Sequence, residues 1–155
     1  MPGMSSLIRR LPTIVAALWW GSLTTLGVLV VPLLFRYLPA PATAGGMAAH
    51  LFTAQTWVSI ACSLLLLMLS APDRATGKAR QAPSTVMFIV LGLLMALLVE
   101  FGISPRIVAR DNLKLWHAVG SGMYLVQWMC TALVLWRLSG QADSNATTPA
   151  HHADR

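Results

Sequence analysis

The stretch Ser84–Ile103, STVMFIVLGLLMALLVEFGI, decides the fold class of this chain. Its uncharged run Thr85–Val99 is 15 residues long, whereas a helix needs about 20 predominantly apolar residues to cross a bilayer. Pro83 and the serine after it resemble a helix start, because proline is tolerated in the first turn and serine caps free amides. The span must therefore continue through Glu100, and an ionisable residue inside a membrane is a functional hypothesis by default.

The composition of the whole chain agrees with a membrane protein. Of its 155 residues, 56% are hydrophobic and only 10% are charged, against roughly 25% charged residues in soluble domains. The formal net charge is +6, but the basic residues stand between apolar runs, where they contact lipid headgroups. We therefore expect a lipid bilayer, and no nucleic acid, as the partner of this basic surface.

Hydropathy predicts four membrane-spanning helices, at about residues 13–35, 50–70, 84–105 and 113–138. The predicted fold is an all-α membrane protein, a four-helix transmembrane bundle with antiparallel up-down topology, forming one domain over residues 1–138. Residues 139–155 are polar and poor in large apolar side chains, which predicts a disordered tail. The first apolar run, about 22 residues, exceeds the 7–15 residues of a signal-peptide core, so we expect it to be retained.

The distribution of basic residues predicts the orientation of the bundle. Four spans place both termini on one side, and that side carries six Lys or Arg residues within reach of the membrane against four on the other. Because cytoplasmic loops are enriched in basic residues, we expect both termini in the cytoplasm and the protein in the cell inner membrane.

Glu100 and His117 are predicted to lie at similar depth on neighbouring helices. The loop between the third and fourth spans is short and centred near Ala109, so the two helices are antiparallel neighbours. Glu100 precedes that centre by about nine residues and His117 follows it by about eight. A facing pair would place a buried acid beside an imidazole.

Further polar residues are expected at the same end of the bundle, forming a polar cluster with Arg36, Gln55, Arg106 and Tyr124. His50, Glu100 and His117 are candidate metal ligands that could converge on a metal, a haem iron or a proton path. The alternative is that Glu100 pairs with an arginine while both histidines form hydrogen bonds near the interface. Scattered methionines with Cys62 and Cys130 also leave copper(I) open.

Small residues recur at four-residue steps on three of the predicted helices, as in Ala17, Gly21 and Thr25. Such spacing permits close helix approach and is typical of a compact bundle or a homo-oligomer. No Gly-rich phosphate loop, nucleophile elbow or paired-carboxylate motif occurs in the sequence. We therefore expect no enzymatic activity.

Four segments resemble a known family: LWWGSLTTLGVLVVPLLFRYLP, AGGMAAHLFTAQTW, ISPRIVARDN and LWHAVGSGMYLVQW. Over about residues 16–137 the chain resembles the bacterial branch of the transmembrane protein 205-like family, a domain of unknown function in bacteria. It is more distantly similar to copper-resistance D-type membrane proteins, which implies metal handling on the periplasmic side. The resemblance implies no catalytic residues.

Three functions remain open on the sequence alone. The first is a non-enzymatic protein that binds or passes a small cation, a metal or protons through the outer polar cluster. The second is a structural or assembly partner of a membrane complex. The third is a haem- or quinone-binding electron carrier that uses His50 and His117. The sequence leaves the cofactor unknown.

Overall fold

A computed structural model describes residues 2–71, 81–109 and 112–144 of the chain. The helices are α1 (Pro2–Thr24), α2 (Val31–Tyr37), α3 (Pro41–Ser70), α4 (Pro83–Leu97), α5 (Ser104–Val108) and α6 (Leu113–Ser144). Two π-helical segments, Thr25–Val30 and Leu98–Ile103, join α1 to α2 and α4 to α5. The described residues contain no β-strand.

These helices form four continuous helical segments that are long and apolar enough to cross a membrane, which confirms the predicted fold class. The four segments are Arg10–Tyr37, Pro41–Ser70, Pro83–Ile107 and Leu113–Gln141. They are called the first to fourth spans. Each span packs against the next, and the first also packs against the fourth. The bundle is therefore a closed ring of antiparallel neighbours.

The helices are longer than the apolar pattern predicted. The second helix begins at Pro41, nine residues before the predicted start, and the fourth continues to Ser144 instead of ending at residue 138. Gln141 and Ala142 have high helix propensity, although they do not extend the apolar run. The end of the apolar run therefore marks the end of the membrane span and not the end of the helix. The remainder of the predicted disordered tail, residues 145–155, lies outside the described residues.

A proline follows each π-helical segment at the same distance. Thr25–Val30 ends two residues before Pro32, and Leu98–Ile103 ends two residues before Pro105. Proline lacks an N–H group and clashes with the carbonyl four residues earlier. The residue before each proline instead bonds five residues back, Val31 N–H to the Leu26 carbonyl and Ser104 N–H to the Val99 carbonyl. The extra residue in the turn relieves the clash, and such insertions are frequent at functional sites.

The tightly packed half of the bundle lies on the terminal side of these segments. Its centre is an apolar cluster in which Trp19, Leu23, Ile89 and Val134 are at most 1% exposed. A Cβ atom on Gly92 would lie 3.1 Å from Trp19 Cη2, so this glycine gives the indole its space. The small residue serves packing inside the bundle here.

Side-chain hydrogen bonds connect the spans across this half. Gln55 Nε2 donates to Ser22 Oγ at 2.9 Å, and Gln127 Nε2 donates to Ser59 Oγ at 3.0 Å. Trp128 Nε1 donates to Thr24 Oγ1 at 2.8 Å. These bonds link the first span to the second and fourth, and the second to the fourth. Hydrogen bonds between helices hold membrane bundles together, typically by about 0.6 kcal/mol each.

Candidate functional site

A cavity of about 480 Å³ lies at the end of the bundle opposite Pro2 and Ser144. All four spans contribute to its wall. The first contributes Gly27, Val31 and Phe35; the second Gly45, Ala48, Ala49 and Phe52; the third Val99, Glu100, Ser104 and Ile107; the fourth His117, Gly120, Ser121, Tyr124 and Leu125. Its volume falls within the roughly 300–1,000 Å³ of small-molecule sites.

The cavity exists because the bundle separates into two pairs of helices at this end. Helix α2 packs mainly on α3, and α5 packs on α6. The separation begins at the two π-helical segments, where an extra residue in the turn shifts the register of the helix. The second span contributes the small residues Gly45, Ala48 and Ala49 to the cavity wall. Bulkier side chains at these positions would fill the cavity.

Tyr124 forms the inner end of the cavity. Its hydroxyl donates a 2.8 Å hydrogen bond to the Leu23 carbonyl, and its ring meets Phe52 edge-on at a centroid distance of 5.4 Å. A Cβ on Gly27 would lie only 2.9 Å from Tyr124 Cε1. Gly27 therefore allows the first and fourth spans to meet at the point where the cavity begins.

Glu100 supplies the only carboxylate among the described residues of the cavity wall, and it is half-buried. Thr53 Oγ1, on the second span, donates a hydrogen bond of 2.8 Å to Glu100 Oε1. Among the residues that the structure describes, Glu100 has no other hydrogen bond and no ion pair within 4.0 Å. A carboxylate at this depth therefore keeps acceptor capacity for a further donor.

The two arginines of the predicted polar cluster do not line the cavity. The Arg36 guanidinium lies 5.7 Å from the centre of the Tyr37 ring, and the Arg106 guanidinium lies 4.3 Å from the Trp116 ring. Both are exposed, and both contacts lie within the range of cation–π attraction. The arginine partner that the sequence left open for Glu100 is therefore not provided by Arg36 or Arg106.

The three candidate metal ligands are placed differently. Glu100 and His117 line the same cavity from adjacent spans, whereas His50 is exposed and lies outside its wall. Within residues 2–71, 81–109 and 112–144, no three His, Cys, Asp or Glu side chains gather where they could hold a metal ion. A haem held by His50 and His117 would need both imidazoles at one iron, and of these two only His117 lies in the cavity wall.

The two remaining predicted residues of the cluster differ in position. Gln55 is 8% exposed and bonds to Ser22 in the tightly packed half, whereas Tyr124 lies in the cavity wall. Thr53 was not singled out from the sequence. Thr53 and Thr56 are alike in type and setting, but Thr56 bonds back to the Phe52 carbonyl of its own helix, so no sequence signal separates them. Pro32 and Pro105 were visible signals for the π-helical segments.

Comparison with protein families identifies a match. A family model described as a domain of unknown function, DUF4149, fits residues 14–114. No curated protein and no solved structure matches the chain. The match confirms the resemblance to a domain of unknown function. The link to transmembrane protein 205-like and copper-resistance D-type proteins stays a prediction.

Proposed function

The chain belongs to the DUF4149 family, a domain of unknown function, and we propose that it binds a small molecule carrying a positive charge in the Glu100 cavity. The observation that carries the proposal is a carboxylate in a largely apolar cavity, with a hydroxyl donor and no cation beside it among the described residues. Charged groups inside membranes pair with one another or mark ligand and ion pathways. Among the described residues no cation lies beside this carboxylate, and a cationic ligand would supply one.

The chemistry of the wall favours an organic cation over a bare metal ion. Glu100 and His117 are its strongest metal-binding side chains, whereas Ca²⁺ takes six to eight oxygen ligands and structural Zn²⁺ takes four ligands. Phe35, Phe52 and Leu125 instead offer apolar surface to an organic group. In place of the metal or proton expected from the sequence, we therefore propose a larger organic cation with an apolar body.

The location of the cavity follows from the proposed topology. With both termini in the cytoplasm, as the six-to-four distribution of basic residues favours, the cavity lies at the outer end of the bundle. We place the protein in the cell inner membrane on the same basis. His117 and Glu100 would then meet a ligand from the periplasmic side or from the outer leaflet.

Two probes of equal shape and opposite charge test the proposal. We expect purified protein in detergent to bind tetraphenylphosphonium in isothermal titration calorimetry, and to bind tetraphenylborate at least about tenfold more weakly. Glu100→Gln keeps the side-chain size and an acceptor for Thr53, and should weaken tetraphenylphosphonium binding by about tenfold or more, or about 1.4 kcal/mol. Arg106→Gln removes a charge outside the cavity and should have no such effect.

Other outcomes would contradict the proposal. Equal affinity for the cation and the anion would show that charge does not select the ligand. Unchanged tetraphenylphosphonium affinity in Glu100→Gln would exclude Glu100 as the anchor. An equal loss in Arg106→Gln would assign the effect to the net charge of the protein surface.

A structural role is the second candidate, and the Thr53–Glu100 hydrogen bond supports it. This bond joins the second and third spans at the end where the helix pairs separate. If Glu100 only stabilises the bundle or an assembly built on it, Glu100→Gln should lower the melting temperature in detergent. In that case neither the wild-type protein nor the variant should bind either probe. Binding and melting measurements on the same samples therefore discriminate between the two functions.

A further inference from the structure

The wall of the cavity is exposed on one side only. The exposed residues of the wall are Phe35 on the first span and His117, Ser121 and Leu125 on the fourth. Every wall residue from the second and third spans is buried or half-buried. The cavity therefore opens between the first and fourth spans, the two that separate beyond the Gly27–Tyr124 contact.

This opening extends well into the depth of a bilayer. Leu125 lies twelve residues from the start of the fourth span at Leu113, or about 18 Å at 1.5 Å per residue. Gly27 lies ten residues from the end of the first span at Tyr37, or about 15 Å. The hydrocarbon core is about 30 Å thick, so the inner end of the opening reaches its middle.

Polarity is graded along the fourth-span side of the opening. His117 and Ser121 lie nearer the end of the bundle, and Leu125, 60% exposed, lies at the deeper edge. Phe35, 52% exposed, faces the opening two residues from the end of the first span. Glu100 lies seven residues from the end of the third span at Ile107, about 10 Å in depth. A polar head near Glu100 and an apolar tail leaving past Leu125 would match this gradient.

We infer that the occupant of the cavity is a membrane-dissolved amphiphile with an amine headgroup, which enters sideways between the first and fourth spans. The inference rests on the proposed function for its headgroup, and the lateral route is the added claim. The protonated amine binds Glu100 Oε2 or Oε1 opposite Thr53, and the alkyl chain passes through the opening into lipid. A water-soluble amine shares the headgroup chemistry but needs no lateral opening.

Three photoreactive probes distinguish these possibilities in protein reconstituted in lipid nanodiscs. Each carries a diazirine at the third carbon from its head: a hexadecylamine, a butylamine and a hexadecanol. Specific labelling is the set of adducts, mapped by mass spectrometry, that disappears in Glu100→Gln. We expect the hexadecylamine to label the cavity wall specifically. At equal probe concentration in the membrane, specific labelling by the hexadecanol should be at least fivefold lower.

The opening is then blocked in the reconstituted protein. Ser121→Trp places an indole in the opening and should reduce specific hexadecylamine labelling at least fivefold. Val126→Trp puts the same side chain on the same helix at an exposed position outside the wall, and should leave labelling unchanged. Leu125→Trp serves as a second blocking variant if Ser121→Trp fails to fold by circular dichroism, and Ser121→Ala controls for loss of the hydroxyl.

The lateral route is overturned if a folded blocking variant is labelled by hexadecylamine as strongly as the wild type is. It is also overturned if butylamine labels the wild type as strongly as hexadecylamine does and the blocking substitution does not reduce the butylamine labelling. In either case, loss of tetraphenylphosphonium binding in Glu100→Gln would leave the proposed cation site intact. Equal labelling by hexadecanol and hexadecylamine would instead overturn the amine headgroup. Failure of the lateral route and failure of the cation site are thus separate results.

Discussion

Thr53 on the second span donates a 2.8 Å hydrogen bond to the carboxylate of Glu100 on the third. The bond crosses the bundle at the level where its helices separate into two pairs, and Glu100 forms it while lining the cavity. One oxygen of the carboxylate is therefore held by Thr53, and the other has no hydrogen-bond partner among the described residues. This arrangement allows Glu100 to be oriented for a ligand and to connect two spans at once.

Replacing Thr53 with valine tests the contribution of this bond to stability. Valine keeps the branched shape and removes the donor, so we expect a loss of about 1 kcal/mol, within the range measured for hydrogen bonds between membrane helices. The measurement is thermal unfolding in detergent. Thr43→Val makes the same change at an exposed threonine of the same helix and should be neutral. Equal effects from both substitutions would show that the bond contributes nothing.

Gly27 is expected to tolerate no side chain while Tyr124 is present. An added Cβ would lie 2.9 Å from Tyr124 Cε1, so Gly27→Ala should destabilise the protein by about 1–3 kcal/mol through overpacking. A Cβ added to Gly21 would have no atom within 4 Å, so Gly21→Ala is the matched control and should be neutral or stabilising. In a Tyr124→Ala background, Gly27→Ala should lose most of its destabilising effect, because the clash is gone. Simple additivity of the two single changes would argue against direct contact.

Pro105 is expected to maintain the π-helical segment that contains Glu100. With alanine in its place the missing N–H is restored and the ring clash is gone, so Leu98–Ile103 should become α-helical. A change of one residue in the turn rotates the helix by about 100° on one side of the segment. Pro105→Ala should therefore separate Glu100 from Thr53 or from the residues beyond Ser104.

The expected result of Pro105→Ala is at least about fivefold weaker tetraphenylphosphonium binding. Thermal stability should not fall, because removing a proline from a helix interior gains about 3 kcal/mol and more than offsets a lost Thr53–Glu100 bond. Binding is measured by calorimetry and stability by unfolding in the same detergent. Pro41→Ala is the control, because Pro41 is the first residue of α3, where proline is compatible with the helix. Unchanged binding in Pro105→Ala would show that the π-helical segment is not required for the site.

The sequence alone was sufficient to predict the bundle and to place Glu100 inside it. Span length and apolarity are local properties of a chain, so the third span had to include the carboxylate. The short loop near Ala109 also brought His117 to a similar depth, and the structure places both residues in the wall of one cavity. Depth along an antiparallel pair follows from counting residues at a constant rise.

Only the tertiary structure decided which way each side chain faces around its helix axis. Each residue turns a helix by about 100°, and the π-helical segments before Pro32 and Pro105 add a residue to that count. Counting therefore left open that Arg106 lies over Trp116 and not beside Glu100, and that His50 is exposed. Thr53 crosses to Glu100 while Thr56 bonds to its own backbone. Apolar content determined which segments cross the membrane, and packing between helices determined which polar groups meet.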